Sequence, residues 1–321
     1  APYTLLDFGA FVGDLATQAN MARNAGLFPF TIQYIDTQPF LYQFQQTAVW
    51  GLGLPLGPLA WAAIPFTAVM VLVRSHTRRA DLLLLAWVVP GLLIVESFEV
   101  RFQRYLFPFV PVMILMAAKM MVWLVHLGRS MASPAALAEA GGTRRGFDGI
   151  LGTYTVPRLA LKWLPVALVV VVTAAAAFYA LAFERVYAED HPAVAASRWI
   201  NESVPQGTVI VSDNHWDEYI PDLYRYSVRQ FPVYEFDSPE KMASLVKDLA
   251  EAEYLVFYSS RPYGSVARDP DRFPLSNSYY RQLFQGALGY RLERSFTSYP
   301  ELLGVSFQDD PFARAGLLRP E

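Results

Sequence analysis

A chain of 321 residues that is 54% hydrophobic and only 17% charged, with a positive mean hydropathy, is too apolar for an ordinary soluble enzyme. Its formal charge of −3 hides an asymmetry, because residues 184–321 carry 21 acidic and 14 basic side chains while residues 1–183 are net +4. The acidic C-terminal part argues against nucleic acid as a partner, and the lack of cysteine excludes disulfides and thiolate metal sites.

In chain order, residues 1–47 come first, aromatic, amide-rich and short of charge ("LFPFTIQYIDTQPFLYQFQQT"). They read as an extracytoplasmic or interfacial loop region, where Tyr and Phe are comfortable. The chain opens on Ala1 with no signal-peptide pattern. This loop is therefore expected to follow an upstream span, making the chain part of a larger multi-span protein.

Residues 48–183 hold four apolar runs, at 48–73, 82–97, 105–127 and 164–183, each close to or above the about 20 residues that a crossing requires. The predicted fold is an α-helical transmembrane bundle of about four spans followed by a small extracytoplasmic α/β domain. Gly51, Gly53, Pro55, Gly57 and Pro58 open the first run and predict a broken start. "GLGLPLG" at 51–57 lacks the strand-to-helix context of a nucleotide loop.

Orientation follows from the basic loops. Arg74, Arg78 and Arg79 lie in one, and Arg129, Arg144, Arg145, Arg158 and Lys162 in or beside the linker 128–163. On the other side, the 1–47 stretch holds Arg23 and the 96–104 turn holds Arg101 and Arg104. The two richer loops are placed in the cytoplasm. Residues 1–47, the 96–104 turn and residues 184–321 then lie outside, in a multi-pass protein of the plasma membrane. Lys119, about two-thirds of the way across the third run, is expected to snorkel to the cytoplasmic interface.

After residue 184 the pattern changes to alternating helices and strands. "DHPAVAASRWINES" predicts a helix capped by Asp190, and "TVIVS" (208–212) and "VYEF" (233–236) predict strands. "DSPEKMASLVKDLAEAEYLVFYSS" predicts a helix with Asp237 and Glu240 spaced as a capping box, then a buried strand. A helix near 278–288 and strands near 290–297 and 303–308 complete the expected domain.

Two clusters are candidate sites. Arg101 and Arg104 stand at the outer mouth of the third run. They either pair with Glu96 and Glu99 in a tight turn or hold an anion, since guanidinium forks grip phosphate oxygens. His215, Asp217 and Glu218 in "SDNHWDEYIPD" follow the first strand, where open α/β sheets place ligands. They either bind an acceptor or belong to a polar loop with Trp216 packed down. His76, His126, His191 and His215 are scattered and show no metal-ligand spacing, so no metal site is predicted.

Four stretches together resemble a prokaryotic family of multi-span membrane proteins. They are "TAVWGLGLPLGPLAW", "RFQRYLFPFVP", "HPAVAASRWINESVPQGTVIVSDNHWDEYIP" and the run from "YLVFYSSRPYG" to "RSFTSYP". The family is related to the GT-C superfamily of lipid-phosphate-sugar-dependent glycosyltransferases, which includes protein mannosyltransferases, and the resemblance covers most of residues 28–310. It implies the C-terminal half of an enzyme that moves a sugar from a polyprenyl-phosphate donor to a glycan or protein acceptor outside the cytoplasmic leaflet. An aspartate in a first extracytoplasmic loop would serve as base, and basic residues near the membrane surface would hold the phosphate.

Arg104 falls on the arginine of the family's "RYLLP" pattern, and Arg101 where a basic residue also occurs. Asp7, Asp14 and Asp36 do not follow a first span, so the catalytic residue stays unassigned, and this part alone is expected to be inactive. The partners implied are membrane lipid, the donor and the acceptor. No cofactor is indicated, and a divalent metal is compatible with the reaction class. The competing reading is a non-catalytic binding or scaffold protein whose external domain recognises a surface polymer or partner. A transporter, which predicts paired broken helices, fits less of the chain.

Overall fold

A computed structural model describes residues 2–131, 158–213 and 221–320. The chain is mostly helical with a small sheet region, and it divides into two compact units. One comprises Gln38–Ser97 and Arg101–Ala180. The other comprises Ala1–Thr37, Phe98–Val100 and Leu181–Glu321.

Helices α1 (Tyr3–Leu6) and α2 (Phe8–Arg23) open the chain. The helical unit then runs through α3 (Leu41–Gln46), which continues into a π-helical turn at Thr47–Gly51, α4 (Leu56–Leu72), α5 (Arg78–Glu96), α6 (Val110–Met131) and the first part of α7 (Arg158–Ala188). All four apolar runs of the sequence are thus helical. Two helical stretches, Val110–Ser130 and Lys162–Ser203, are long and apolar enough to cross a membrane. Helix α7, at 31 residues, is about 46 Å long.

The core of this unit is built from small and flexible side chains. Ala60 and Ala63 of α4 are fully buried, as are Met113, Met116 and Ala117 of α6 and Val88 of α5. Alanines let helix backbones approach, and the unbranched methionines fill the remaining gaps. Gly57 and Gly91 are demanded by contact. A Cβ on Gly57 would lie 2.4 Å from the Ala48 backbone, and one on Gly91 would lie 2.2 Å from the Phe109 ring. The outer faces are apolar as well, with Leu83, Leu93, Ile94, Leu115, Leu164, Val170 and Val171 all exposed.

The other unit is organised on a three-stranded parallel sheet in the order β2-β1-β3, with β1 at Val209–Asp213, β2 at Ser227–Phe231 and β3 at Tyr254–Val256. A two-stranded antiparallel pair, β4 (Glu301–Leu302) and β5 (Val305–Ser306), lies further on. Helices α8 (Pro192–Ser203), α9 (Pro239–Glu251), α10 (Arg261–Val266), α11 (Pro274–Phe284) and α12 (Pro311–Ala315) complete it. Aromatics fill its core: Phe231, Tyr263, Phe273, Tyr279, Tyr280 and Phe284 are all buried.

Four sequence expectations change. The second strand is Ser227–Phe231, not 233–236: Pro232 follows it without an N–H for the ladder, and Val233 enters the core from a turn. Residues 290–297 form no strand. Helix α8 is capped by His191, whose Nδ1 accepts from Ala193 N at 3.2 Å, rather than by Asp190. Helix α9 is capped by Ser238, which leaves Asp237 free to accept from Leu275 N (2.7 Å) and Ser276 N (2.8 Å) at the start of α11.

The N-terminal stretch also differs from a separate loop region, because residues up to Thr37 group with the sheet unit. Ile32 is fully buried in that unit's core. Arg268 donates to Gln33 O (2.9 Å) and Ile35 O (3.2 Å), and Arg272 donates to Gly26 O.

Candidate functional site

In the helical unit a 3-10 turn, Gln103–Leu106, precedes α6; Arg104 lies within it and Arg101 two residues before it. The two arginines have different environments. Arg101 is buried, with its Nε 3.9 Å from Glu96 Oε2, and both side chains are almost fully enclosed. Glu96 Oε2 also accepts from Phe40 N at 2.7 Å, tying the end of α5 to the start of α3. Arg104 is exposed, and its guanidinium lies 4.1 Å from the centre of the Phe102 ring and 5.8 Å from that of Tyr105. No ion pair joins Arg104 to a carboxylate among the described residues.

A guanidinium over an aromatic face is attracted by the ring and keeps its N–H donors for other partners. The arrangement therefore combines one arginine committed to a carboxylate with a second held over an aromatic ring at the head of an apolar helix.

Around the turn the polar accounting is incomplete. Gln103 Nε2 donates weakly to Gln46 O at 3.4 Å. Gln43 is fully buried, yet neither of its amide atoms has a hydrogen-bond partner among the described residues, and neither does Glu96 Oε1. Buried polar atoms are normally paired, so each orphan demands a reason. The π-helical turn at Thr47–Gly51 lies in the same segment as Gln43, and such turns occur often at functional sites. Sequence reading missed Gln43 and gave Glu96 only a pairing role. An amide inside an apolar, aromatic stretch was the available signal.

Glu99, the other carboxylate considered beside the arginines, accepts from Ala25 N at 2.7 Å in the sheet unit.

Lys119 is a correction to expectation. It reaches toward the end of the helices that bears the 74–81 loop, as a snorkelling side chain would, but it meets protein there. Its ammonium donates to Asp81 Oδ1 and to Thr77 Oγ1 (2.9 Å), and Thr77 Oγ1 donates to Asp81 Oδ2 at 2.8 Å. Asp81 is 1% exposed, so the pair joins α5 to α6 through a desolvated carboxylate.

In the sheet unit His215, Asp217 and Glu218 lie outside the described residues. Asp213, two positions before His215, ends β1, the central strand, at the carboxyl edge where parallel sheets place ligands. It is buried and accepts from Tyr280 Oη at 3.1 Å. Burial pushes its carboxyl up to about 7, against the lowering effect of the Tyr280 hydrogen bond. Burial and the nearby Asp213 together hold the Tyr279 and Tyr280 phenols well above their ordinary range. The cluster can hold a proton near neutral pH; the sequence reading ended the strand at Ser212 and passed over Asp213, whose signal was a polar residue directly after an apolar strand.

A third polar group is fully satisfied. Lys241 Nζ donates to Val233 O (3.1 Å), Glu235 O (2.8 Å), Asp237 Oδ1 (3.1 Å) and Ser276 Oγ (3.0 Å). Burial works to raise Asp237, but hydrogen bonds from Ser276 and Lys241 outweigh it and hold the carboxyl below its usual range.

No family model matches this chain, and neither does any curated protein or solved structure. Among the described residues no group of three His, Cys, Asp or Glu side chains is placed to hold a metal ion.

Proposed function

We propose that the chain is a portion of a multi-span membrane glycosyltransferase, GT-C-like, whose helical unit holds the phosphate of a polyprenyl-phosphate sugar donor at the head of α6. Two helical stretches long enough to span a bilayer and the exposed apolar outer faces of α4, α5, α6 and α7 support a membrane setting. The observation that carries the reading is Arg104, exposed and lying over the Phe102 ring just before α6 begins. A cation fixed there suits the phosphate of a lipid whose chain runs along the apolar helices.

As the sugar is transferred, charge builds on the departing phosphate, and a preoriented guanidinium lowers that barrier. Arg101, neutralised by Glu96, acts by positioning the turn. The extracytoplasmic setting of the sheet unit and its part in acceptor binding belong to the same proposal.

The test is polyprenyl-phosphate binding to the detergent-purified protein, followed by native mass spectrometry beside Arg104→Ala. Loss of a charge-assisted contact worth about 1.5–3 kcal/mol weakens binding roughly 10- to 100-fold. Equal binding by both proteins would remove Arg104 from the site.

A further inference from the structure

The connection between α4 and α5 places three arginines where local physics disfavours them. Helix α4 ends in a Schellman motif, with Ser75 N donating to Met70 O (3.1 Å) and Arg74 N to Val71 O (3.2 Å). The left-handed position in that motif normally belongs to glycine, yet Arg74 occupies it with φ 54°. Arg78 and Arg79 are the first two residues of α5, at the positive end of its dipole, where cations are repelled. All three side chains are exposed, as is His76.

The one acid of the stretch, Asp81, is withdrawn from the surface by Lys119 and Thr77. The exposed face is therefore uniformly basic. Apolar side chains flank it: Leu72 (79% exposed) and Val73 on one side, Leu83 (72% exposed) on the other. A cavity of about 590 Å³ opens on this connection, with His76, Arg78 and Arg79 in its lining.

We propose that residues 72–83 form a docking surface for the headgroups of anionic phospholipids. The arginines meet the phosphates, and Leu72, Val73 and Leu83 enter the acyl boundary beneath them. Charge complementarity selects the occupant, because a basic patch bordered by exposed leucines matches an anionic bilayer surface in both charge and depth. This assignment rests on the membrane setting proposed above. Withdrawal of Asp81 gives the Lys119 pair a second consequence, since it leaves the patch without a competing carboxylate.

The experiment reconstitutes the full chain into vesicles of phosphatidylcholine and phosphatidylglycerol at equal amounts. Incorporation is scored by flotation, and retained lipid by native mass spectrometry. The wild-type protein retains phosphatidylglycerol in excess. Arg78→Gln/Arg79→Gln reduces that preference by about fivefold for each charge removed, the effect weakening in high salt. Arg74→Gly lowers retention while leaving the melting temperature equal or higher, because glycine relieves the backbone. That split separates a lipid contact from a structural role.

Incorporation with equal retention of both lipids overturns the docking surface and leaves the membrane setting standing. Failure to float overturns both. Dimers that dissolve in the arginine variants would assign the patch to a second copy of the chain and overturn the lipid assignment.

Discussion

Both units bury charge, and they differ in how completely they satisfy it. Lys241 in the sheet unit has four oxygen acceptors between 2.8 and 3.1 Å, and its partner Asp237 also closes the start of α11. Glu96 in the helical unit has one oxygen engaged by Phe40 N and by Arg101 at 3.9 Å, while the other has no hydrogen-bond partner among the described residues. A closed network fixes a fold and leaves nothing for a ligand. An open one retains binding capacity at a desolvation cost that some other group must offset. The comparison directs attention to the 96–104 turn for binding and to the Asp237–Lys241–Ser276 group for stability.

The largest expected effect comes from breaking the closed network. Lys241→Ala removes the counter-charge of the buried Asp237 carboxylate and the donor to the Val233 and Glu235 carbonyls, and should destabilise the sheet unit by about 3–5 kcal/mol in chemical denaturation. Ligand binding at the head of α6 should outlast the early part of that transition. A loss below about 1 kcal/mol would show that the network is less desolvated than its geometry requires.

Asp213 gives the next effect, and its sign is specific. The folded carboxyl titrates at about 7, above its ordinary value, so folding favours the protonated form. Its contribution is full at acid pH, below the ordinary aspartate range, and is lost as pH rises through about 7. Stability of the sheet unit should therefore fall from pH 5 to pH 8, by up to about 4 kcal/mol across the whole titration. Asp213→Asn should flatten that profile and be the more stable protein at pH 8. Denaturation midpoints at the two pH values decide the matter, and a wild-type profile that rises toward pH 8 would contradict the burial argument.

A smaller change is expected at the α5–α6 contact. Gly91→Ala drives a methyl group into Phe109 and should cost about 1–3 kcal/mol through overpacking. Gly264, whose Cβ would meet nothing within 4 Å, offers a control at which the same substitution is mild. Smallest of all is the stability change for Arg104→Ala, within about 0.5 kcal/mol because the side chain is exposed. Arg101→Ala, which strands Glu96 in a buried site, should be far more disruptive, and equal melting temperatures for the two variants would erase the distinction drawn between them.

The four apolar helices were legible because a run of apolar residues constrains the chain without reference to distant partners. The central strand and helices α8, α9 and α11 were legible from apolar patterning, although α11 begins at Pro274, four residues ahead of the expected start. What sequence could not supply was pairing over distance. Gly26, Gln33 and Ile35 depend on Arg268 and Arg272, more than 230 positions later, and nothing near them announces the contact. Lys119 presents the same problem, since its carboxylate lies 38 residues earlier on another helix.

At the candidate site Arg101 and Arg104 were found as a pair, but only burial separates their roles. The orphaned Gln43 amide has no sequence signature beyond its apolar neighbours.

The most direct test of the account is photocrosslinking with a polyprenyl phosphate carrying a diazirine beside its phosphate. The account predicts labelled peptides that cover residues 96–110, competed by unlabelled polyprenyl phosphate and weakened by Arg104→Ala. Competed labelling confined to other segments, with residues 96–110 unmodified, would contradict it.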